Sequence, residues 1–97
     1  MITLLVPAAL RSEAGGAAKL TVASPVPSAP GTLGDLLDEV AEAWPRLERR
    51  IRDEQGRLRR HVNIYVDGED CRTMAGMVTA VPDGAEVQVL PSVAGGA

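Results

Sequence analysis

The residues with the clearest chemical potential are the last five of the chain, Val93-Ala94-Gly95-Gly96-Ala97, which follow a strand-like run at Glu86–Leu90. Glycine is the costliest residue to order, and two glycines add no packing to the end of a small domain. A strip of backbone without side chains is thin enough to enter the active site of a partner protein. The carboxyl group of Gly96 would then be the reacting group, and Ala97 stands after it.

Length and composition predict a single small domain. The chain has 97 residues and a single cysteine, Cys71, so an internal disulfide cannot form and a reducing compartment is expected. The apolar start has no basic region before it and breaks at Pro7, which argues for a strand rather than a signal peptide. We expect a soluble cytoplasmic monomer that does not contact a membrane, since no apolar stretch is long enough to span one.

Charge and aromatic content argue against nucleic acid as a partner. The net charge is -3, with one Tyr, one Trp and no Phe available for stacking on bases. Seven of the ten basic residues lie in the segment Arg46–Arg60, where acidic residues are interspersed. This pattern favours a solvated helical face, and it leaves open a complementary surface for an acidic partner.

The other reactive residue types form no catalytic or metal-binding pattern. Cys71 is interpreted as a packed strand residue because no neighbouring histidine or basic cluster lowers its pKa. His61 has no Cys or His partner at metal-ligand spacing, so no metal site is predicted. The sequence contains no nucleophile–base pair and no phosphate-binding glycine loop. It therefore indicates a protein that is not an enzyme.

The N-terminal half predicts a hairpin followed by two helices. Apolar residues alternate in two runs, Ile2–Val6 and Lys19–Val22, and Gly15-Gly16 supplies the loop between these strands. The proline-rich segment Ser24–Gly31 predicts a connecting loop. The first helix is predicted to start at a capping box formed by Thr32 and Asp35 and to end near Trp44. Its apolar residues are Leu33, Leu36, Leu37, Val40 and Ala41, and its acidic residues are Asp38, Glu39 and Glu42. Pro45 starts a second, shorter helix that Gln55-Gly56 closes.

The C-terminal half predicts three strands joined by tight turns. From His61 to Asp67 apolar residues alternate with polar ones, and Asp67-Gly68 is a strong turn signal before a short return strand at 69–72. A turn at 82–84 precedes the last strand. The order predicts an α+β domain at 1–91, a mixed five-stranded sheet with one main helix on one face and a short second helix, and a flexible tail at 92–97.

Three segments in the correct order resemble the MoaD/ThiS family of sulfur carriers, which have the ubiquitin-like β-grasp fold. His61–Asp70 (HVNIYVDGED), followed by Arg72, resembles the family's strand–turn–strand motif. Val81–Val87 resembles its acidic turn, and Leu90–Gly96 (LPSVAGG) resembles its C-terminal ending. The long second-helix segment and the residues of the His61–Asp70 motif are most similar to those of the carriers of actinobacterial cysteine biosynthesis.

This resemblance implies a carrier that other enzymes act on. An E1-like activating enzyme of the MoeB/ThiF type would use ATP to adenylate Gly96, and a sulfur source would convert the adenylate into a thiocarboxylate. The carrier would then donate that sulfur to a synthase for cysteine, a sulfur-containing natural product, thiamine or molybdopterin. The tail residues that would enter the active site of each partner are Val93, Ala94, Gly95 and Gly96. The carrier's docking patch for these partners would be formed by Leu90 and Pro91. No cofactor is expected to stay bound to the chain.

Ala97 departs from the family pattern, in which the second glycine is terminal. The resemblance implies a precursor from which a JAMM-type metallopeptidase removes Ala97, although adenylation that tolerates Ala97 stays open. A second possible function uses the same carboxyl group of Gly96. The chain would be a ubiquitin-like modifier joined through Gly96 to lysines of target proteins. A third is an interaction module whose tail has no chemistry. Lys19 is the only lysine of the chain, which argues mildly against a polymeric tag.

Overall fold

The computed structural model describes residues 1–23 and 31–91. The strands are β1 Ile2–Leu5, β2 Lys19–Val22, β3 Gly31–Thr32, β4 Val62–Val66, β5 Glu69–Asp70, β6 Ala80–Val81 and β7 Glu86–Pro91. The α-helices are α1 Leu33–Ala43 and α2 Pro45–Ile51, and short 3₁₀ helices span Ala8–Ala14, Cys71–Thr73 and Gly76–Val78. The predicted tail at 92–97 and nearly all of the predicted loop from Ser24 lie outside the described residues.

The main sheet has five strands in the order β2-β1-β7-β4-β5. β1 and β7 run parallel, whereas β2 on β1, β4 on β7 and β5 on β4 are antiparallel, so the predicted mixed five-stranded sheet is confirmed. A second sheet, which the sequence did not predict, joins β3 to β6. Each of these two strands has only two residues, too short to carry an alternating pattern.

The core lies between one face of the sheet and α1. Alternating residues of β1, β4 and β7 point inward and meet the apolar stripe of α1, which is fully or almost fully buried at Leu33, Leu36, Leu37 and Val40. The predicted capping box starts this helix. The Asp35 amide donates to the Thr32 hydroxyl at 3.1 Å, and the Thr32 amide donates to the Asp35 carboxylate at 3.0 Å.

Helix α2 begins at Pro45 as predicted and buries Leu47 and Ile51 against the core. Its predicted end at Gln55-Gly56 is wrong, because Ile51 is the last helical residue and Arg52 is extended. The Asp53 carboxylate accepts the amides of Gln55 and Arg57, which holds these residues in a turn outside the helix.

Two further predictions about the strands need correction. The link between β1 and β2 is longer than a simple hairpin loop, since the 3₁₀ helix Ala8–Ala14 buries Leu10 and Ala14 before Gly15 and Gly16 take positive φ angles. The predicted return strand at 69–72 ends at Asp70, because the Asp70 side chain accepts the Arg72 amide and starts a 3₁₀ helix there. The Asp67-Gly68 turn is confirmed by its φ angles of 49° and 87°.

Candidate functional site at the end of the C-terminal strand

The residues predicted to act lie at or beyond the end of β7, which is the central strand of the sheet. β7 has β1 on one side and β4 on the other, and its last two residues, Leu90 and Pro91, pair with Asn63 and Val62 of β4. β1 pairs with β7 only as far as Gln88, so Leu90 and Pro91 are held by the ladder with β4 alone. Whatever follows Pro91 therefore starts from a fixed point at one end of the sheet.

Leu90 and Pro91, the predicted docking patch, are both exposed. Val87 and Val89 of β7 face the core, whereas Leu90 falls on the opposite face and leaves 37% of its surface open to solvent. An exposed leucine next to an exposed proline suits a docking role, which stays a prediction. Val93, Ala94, Gly95, Gly96 and Ala97 lie outside the described residues, so their roles also stay predictions.

A groove that the sequence analysis missed lies beside this strand end. It has a volume of about 400 Å³ and is lined by the ends of β1 and β7, the start of β2 and the 3₁₀ helix after β1. Its apolar lining includes Leu5, Pro7 and Leu90, and its two cations are Arg11 and Lys19. No local sequence signal could have found it, because these residues come from separate elements.

Cys71 does not offer a competing sulfur site. Its side chain has no exposed surface, and burial, reinforced by the negative charge of Asp70, raises its pKa above the ordinary 9.0. The thiol is therefore protonated at neutral pH and inaccessible to solvent, a combination that disfavours nucleophilic chemistry. The interpretation as a packed residue is confirmed, although Cys71 begins a 3₁₀ helix and does not lie on a strand.

Three of the seven arginines in the segment Arg46–Arg60 pair with carboxylates, namely Arg50, Arg52 and Arg57. Arg52 donates to Glu48 at 2.6 Å and to Asp38 at 2.8 Å, so it joins α2 to α1. Burial alone would lower its pKa, but the hydrogen bonds and charges of Asp38 and Glu48 outweigh burial and raise it. Arg57 pairs with Asp53 through the next turn of chain. These contacts are those of a solvated structural face.

Within residues 1–23 and 31–91, no group of three or more His, Cys, Asp and Glu side chains is placed to hold a metal ion. The same part of the chain contains no helix that is long and apolar enough to cross a membrane.

Comparison with known proteins identifies the class. The ThiS family model matches residues 4–96, and the chain belongs to this family of ubiquitin-like sulfur carriers. It is similar to the sulfur carrier protein CysO of Mycobacterium tuberculosis (strain ATCC 25618 / H37Rv), with 35% identity over 97 residues and 98% of each chain covered. The predicted MoaD/ThiS resemblance is thereby confirmed.

Two other likenesses bear on fold and function. The crystal structure of the Amycolatopsis orientalis BexX/CysO complex matches with a TM-score of 0.83 and 28% identity, covering 96% of this chain and 97% of that one. This likeness confirms the predicted β-grasp fold. Small archaeal modifier protein 3 of Haloferax volcanii is 38% identical over 65 residues, which cover 67% of this chain and 70% of that protein.

Proposed function

We propose that this chain carries sulfur as a thiocarboxylate on Gly96 after Ala97 has been removed. One observation carries the proposal: the match to a family of sulfur carriers extends through Gly96. Family members are sulfur carriers rather than catalysts, which supports a carrier role for this chain.

The chemistry requires two activating steps. A carboxylate is a poor electrophile, so an E1-like enzyme joins one Gly96 oxygen to the α-phosphorus of ATP and releases pyrophosphate. A sulfur nucleophile then attacks the acyl carbon of this anhydride, and AMP leaves with the bonding electrons. The resulting thiocarboxylate is ionised and soft at neutral pH, which makes it a good nucleophile towards the substrate of a synthase.

The described residues support delivery from the end of β7. The strand is paired with β4 up to Pro91 and with β1 up to Gln88, and Leu90 and Pro91 are exposed for contact with a partner. Val93, Ala94, Gly95 and Gly96 would then enter the active site of that partner. Cys71 is buried, so the sulfur would be carried at Gly96 alone.

The acceptor that we favour is a synthase that forms cysteine, followed by a synthase for a sulfur-containing natural product. The similarity to proteins named CysO supports this order. Thiamine and molybdopterin synthases remain further members of the same class. A JAMM-type peptidase would generate the Gly96 terminus in the cytoplasm before activation.

The test is the intact mass of the purified protein through the whole sequence of steps. Incubation with host lysate should remove one alanine, and an activating enzyme with ATP and a sulfur donor should then exchange one oxygen for sulfur. Cys71→Ser is the control and should gain sulfur equally. Sulfur gained while Ala97 is retained would contradict trimming but not carriage. If a variant ending at Gly96 gains no sulfur, the carrier proposal fails.

A second candidate is a ubiquitin-like modifier joined to target lysines through Gly96. The likeness to small archaeal modifier protein 3 favours it. The discriminating measurement is a search for isopeptide-linked adducts in host cells by mass spectrometry. Adducts that disappear when Gly95 and Gly96 are deleted would establish the modifier function.

A further inference from the structure

The groove beside the end of β7, here named the Arg11–Lys19 groove, combines an apolar floor with two cations. The Arg11 Nε donates to the Val6 carbonyl oxygen at 3.1 Å, which holds this side chain at the groove. Lys19 begins β2 and pairs with Leu5, the last residue of β1, in the sheet register. Both side chains therefore originate from ordered backbone and line the same groove.

The side chains of Arg11 and Lys19 have no carboxylate partner among the described residues. Among the described residues, three arginines, Arg50, Arg52 and Arg57, form ion pairs. Arg11 and Lys19 form none in this part of the chain, and the same holds for Arg46, Arg49, Arg59, Arg60 and Arg72, so what distinguishes Arg11 and Lys19 is their place beside the end of β7. The chain as a whole is acidic, with a net charge of -3. A positive groove on an acidic protein is a local feature, and it is complementary to a negative partner.

The position of the groove determines what can cover it. Gln88, Val89 and Leu90 form one of its walls, and the predicted tail begins directly after Pro91. A protein that takes this tail into its active site must place its own surface over the end of β7. The rim of that active site would then contact the groove.

We propose that the Arg11–Lys19 groove binds an acidic segment of the E1-like activating enzyme, which presents a carboxylate to Arg11 and Lys19 and an apolar side chain to Leu5, Pro7 and Leu90. This inference rests on the proposed function for the identity of the partner. Exposed charges of this kind act mainly on the rate and specificity of association, so salt weakens their effect.

The test is a calorimetric titration of the activating enzyme from the same genome with the carrier ending at Gly96, without ATP. The double variant Arg11→Glu/Lys19→Glu should bind with about tenfold lower affinity, and its affinity should depend less on salt. Lys19→Glu alone should lose about threefold, and it keeps the Arg11–Val6 hydrogen bond that the fold uses.

The matched control is Arg46→Glu/Arg49→Glu, which has the same net charge as the double variant. Both arginines are exposed and line a different groove with Ser12 and Glu13. Equal losses in the control and in the groove variants would overturn the proposal, and so would wild-type protein that does not bind. A groove covered by a second copy would give a concentration-dependent dimer, which would also overturn it.

Intact mass measured on the same samples separates this inference from the proposed function. If the protein gains sulfur but the groove variants bind the activating enzyme as tightly as wild type, the carrier function stands and the docking site is overturned. Groove-dependent binding without sulfur gain would support the docking site and contradict the carrier function.

Discussion

Two basic regions of this chain have different uses for their charge. The segment Arg46–Arg60 holds seven of the ten basic residues, and three of its arginines, Arg50, Arg52 and Arg57, form ion pairs with carboxylates. Arg11 and Lys19 are only two cations, and neither pairs with a described carboxylate. The density of charge in a sequence therefore does not measure the charge that a partner can use. What counts is the charge that internal ion pairs leave uncompensated.

Arg52 shows how the first region uses its charge for structure. Its side chain is 11% exposed and contacts Glu48 on its own helix and Asp38 on α1. Because Arg52 contacts both helices, the three groups connect α1 to α2, and the Glu48 carboxylate in this connection is also largely buried. Lys19 has no such connection, and it leaves its charge at the groove.

The largest expected effect tests whether α2 is held by the core or by these ion pairs. Leu47 is 1% exposed. Leu47→Ala should lower the free energy of unfolding by about 3 kcal/mol, because it removes buried methyl groups and leaves a cavity. Urea denaturation measures this loss. A loss below about 1 kcal/mol would mean that ion pairs rather than packing attach α2.

The next effect concerns the ion pairs themselves. Arg52→Met keeps most of the aliphatic stem and removes the charge, which leaves the largely buried Glu48 carboxylate without its partner. We expect a loss of about 2 kcal/mol in the free energy of unfolding. Arg46→Met is the control and should change stability by less than about 0.5 kcal/mol. Equal values for the two variants would contradict a structural role for Arg52.

A smaller effect should appear in acid. The amide of Arg57, together with that of Gln55, hydrogen-bonds the Asp53 carboxylate and lowers its pKa below the ordinary 3.8, although burial opposes this shift. A lowered folded-state pKa contributes stability that is present above 3.8 and is lost as the pH falls through the folded value. The melting temperature of Asp53→Ala should therefore fall less steeply with acid than that of wild type. Glu54→Ala, at the exposed neighbouring residue, should retain the wild-type slope.

The smallest effect is expected at the groove. Lys19→Met should change the free energy of unfolding by less than about 0.5 kcal/mol, since its exposed side chain has no described ion-pair partner. Thermal denaturation checks this value. A loss of about 2 kcal/mol, as expected for Arg52→Met, would mean that Lys19 stabilises the fold as Arg52 does, and it would remove the contrast between the two regions.

Local patterns predicted much of the fold. The capping box at Thr32 and Asp35, the helix start at Pro45 and the turn at Asp67 and Gly68 each depend on neighbouring residues, and each is confirmed. The predicted helix end at Gly56 failed because the Asp53 side chain competes for backbone amides, a contact that composition does not reveal.

The candidate site also contains residues that the sequence could predict and residues that it could not. Leu90 and Pro91 could be found because they adjoin a recognisable C-terminal motif. Cys71 could be interpreted because no histidine or basic cluster lies near it in the sequence. Arg11 and Lys19 could not be found, since one lies in a 3₁₀ helix that the sequence did not predict and the other starts an edge strand. Nothing in their spacing indicates that they line one groove.

The sequence by itself determined the order of the five main-sheet strands and the two α-helices, the cap at Thr32, the turn at Asp67-Gly68 and the family to which the chain belongs, because these depend on side chains a few residues apart. Only the tertiary structure decided that β1 lies parallel to β7, with Leu5 aligned to Gln88. This pairing joins residues from opposite ends of the chain, and it is stable because it buries one face of both strands in a shared core. The groove beside the end of β7 is a consequence of that pairing.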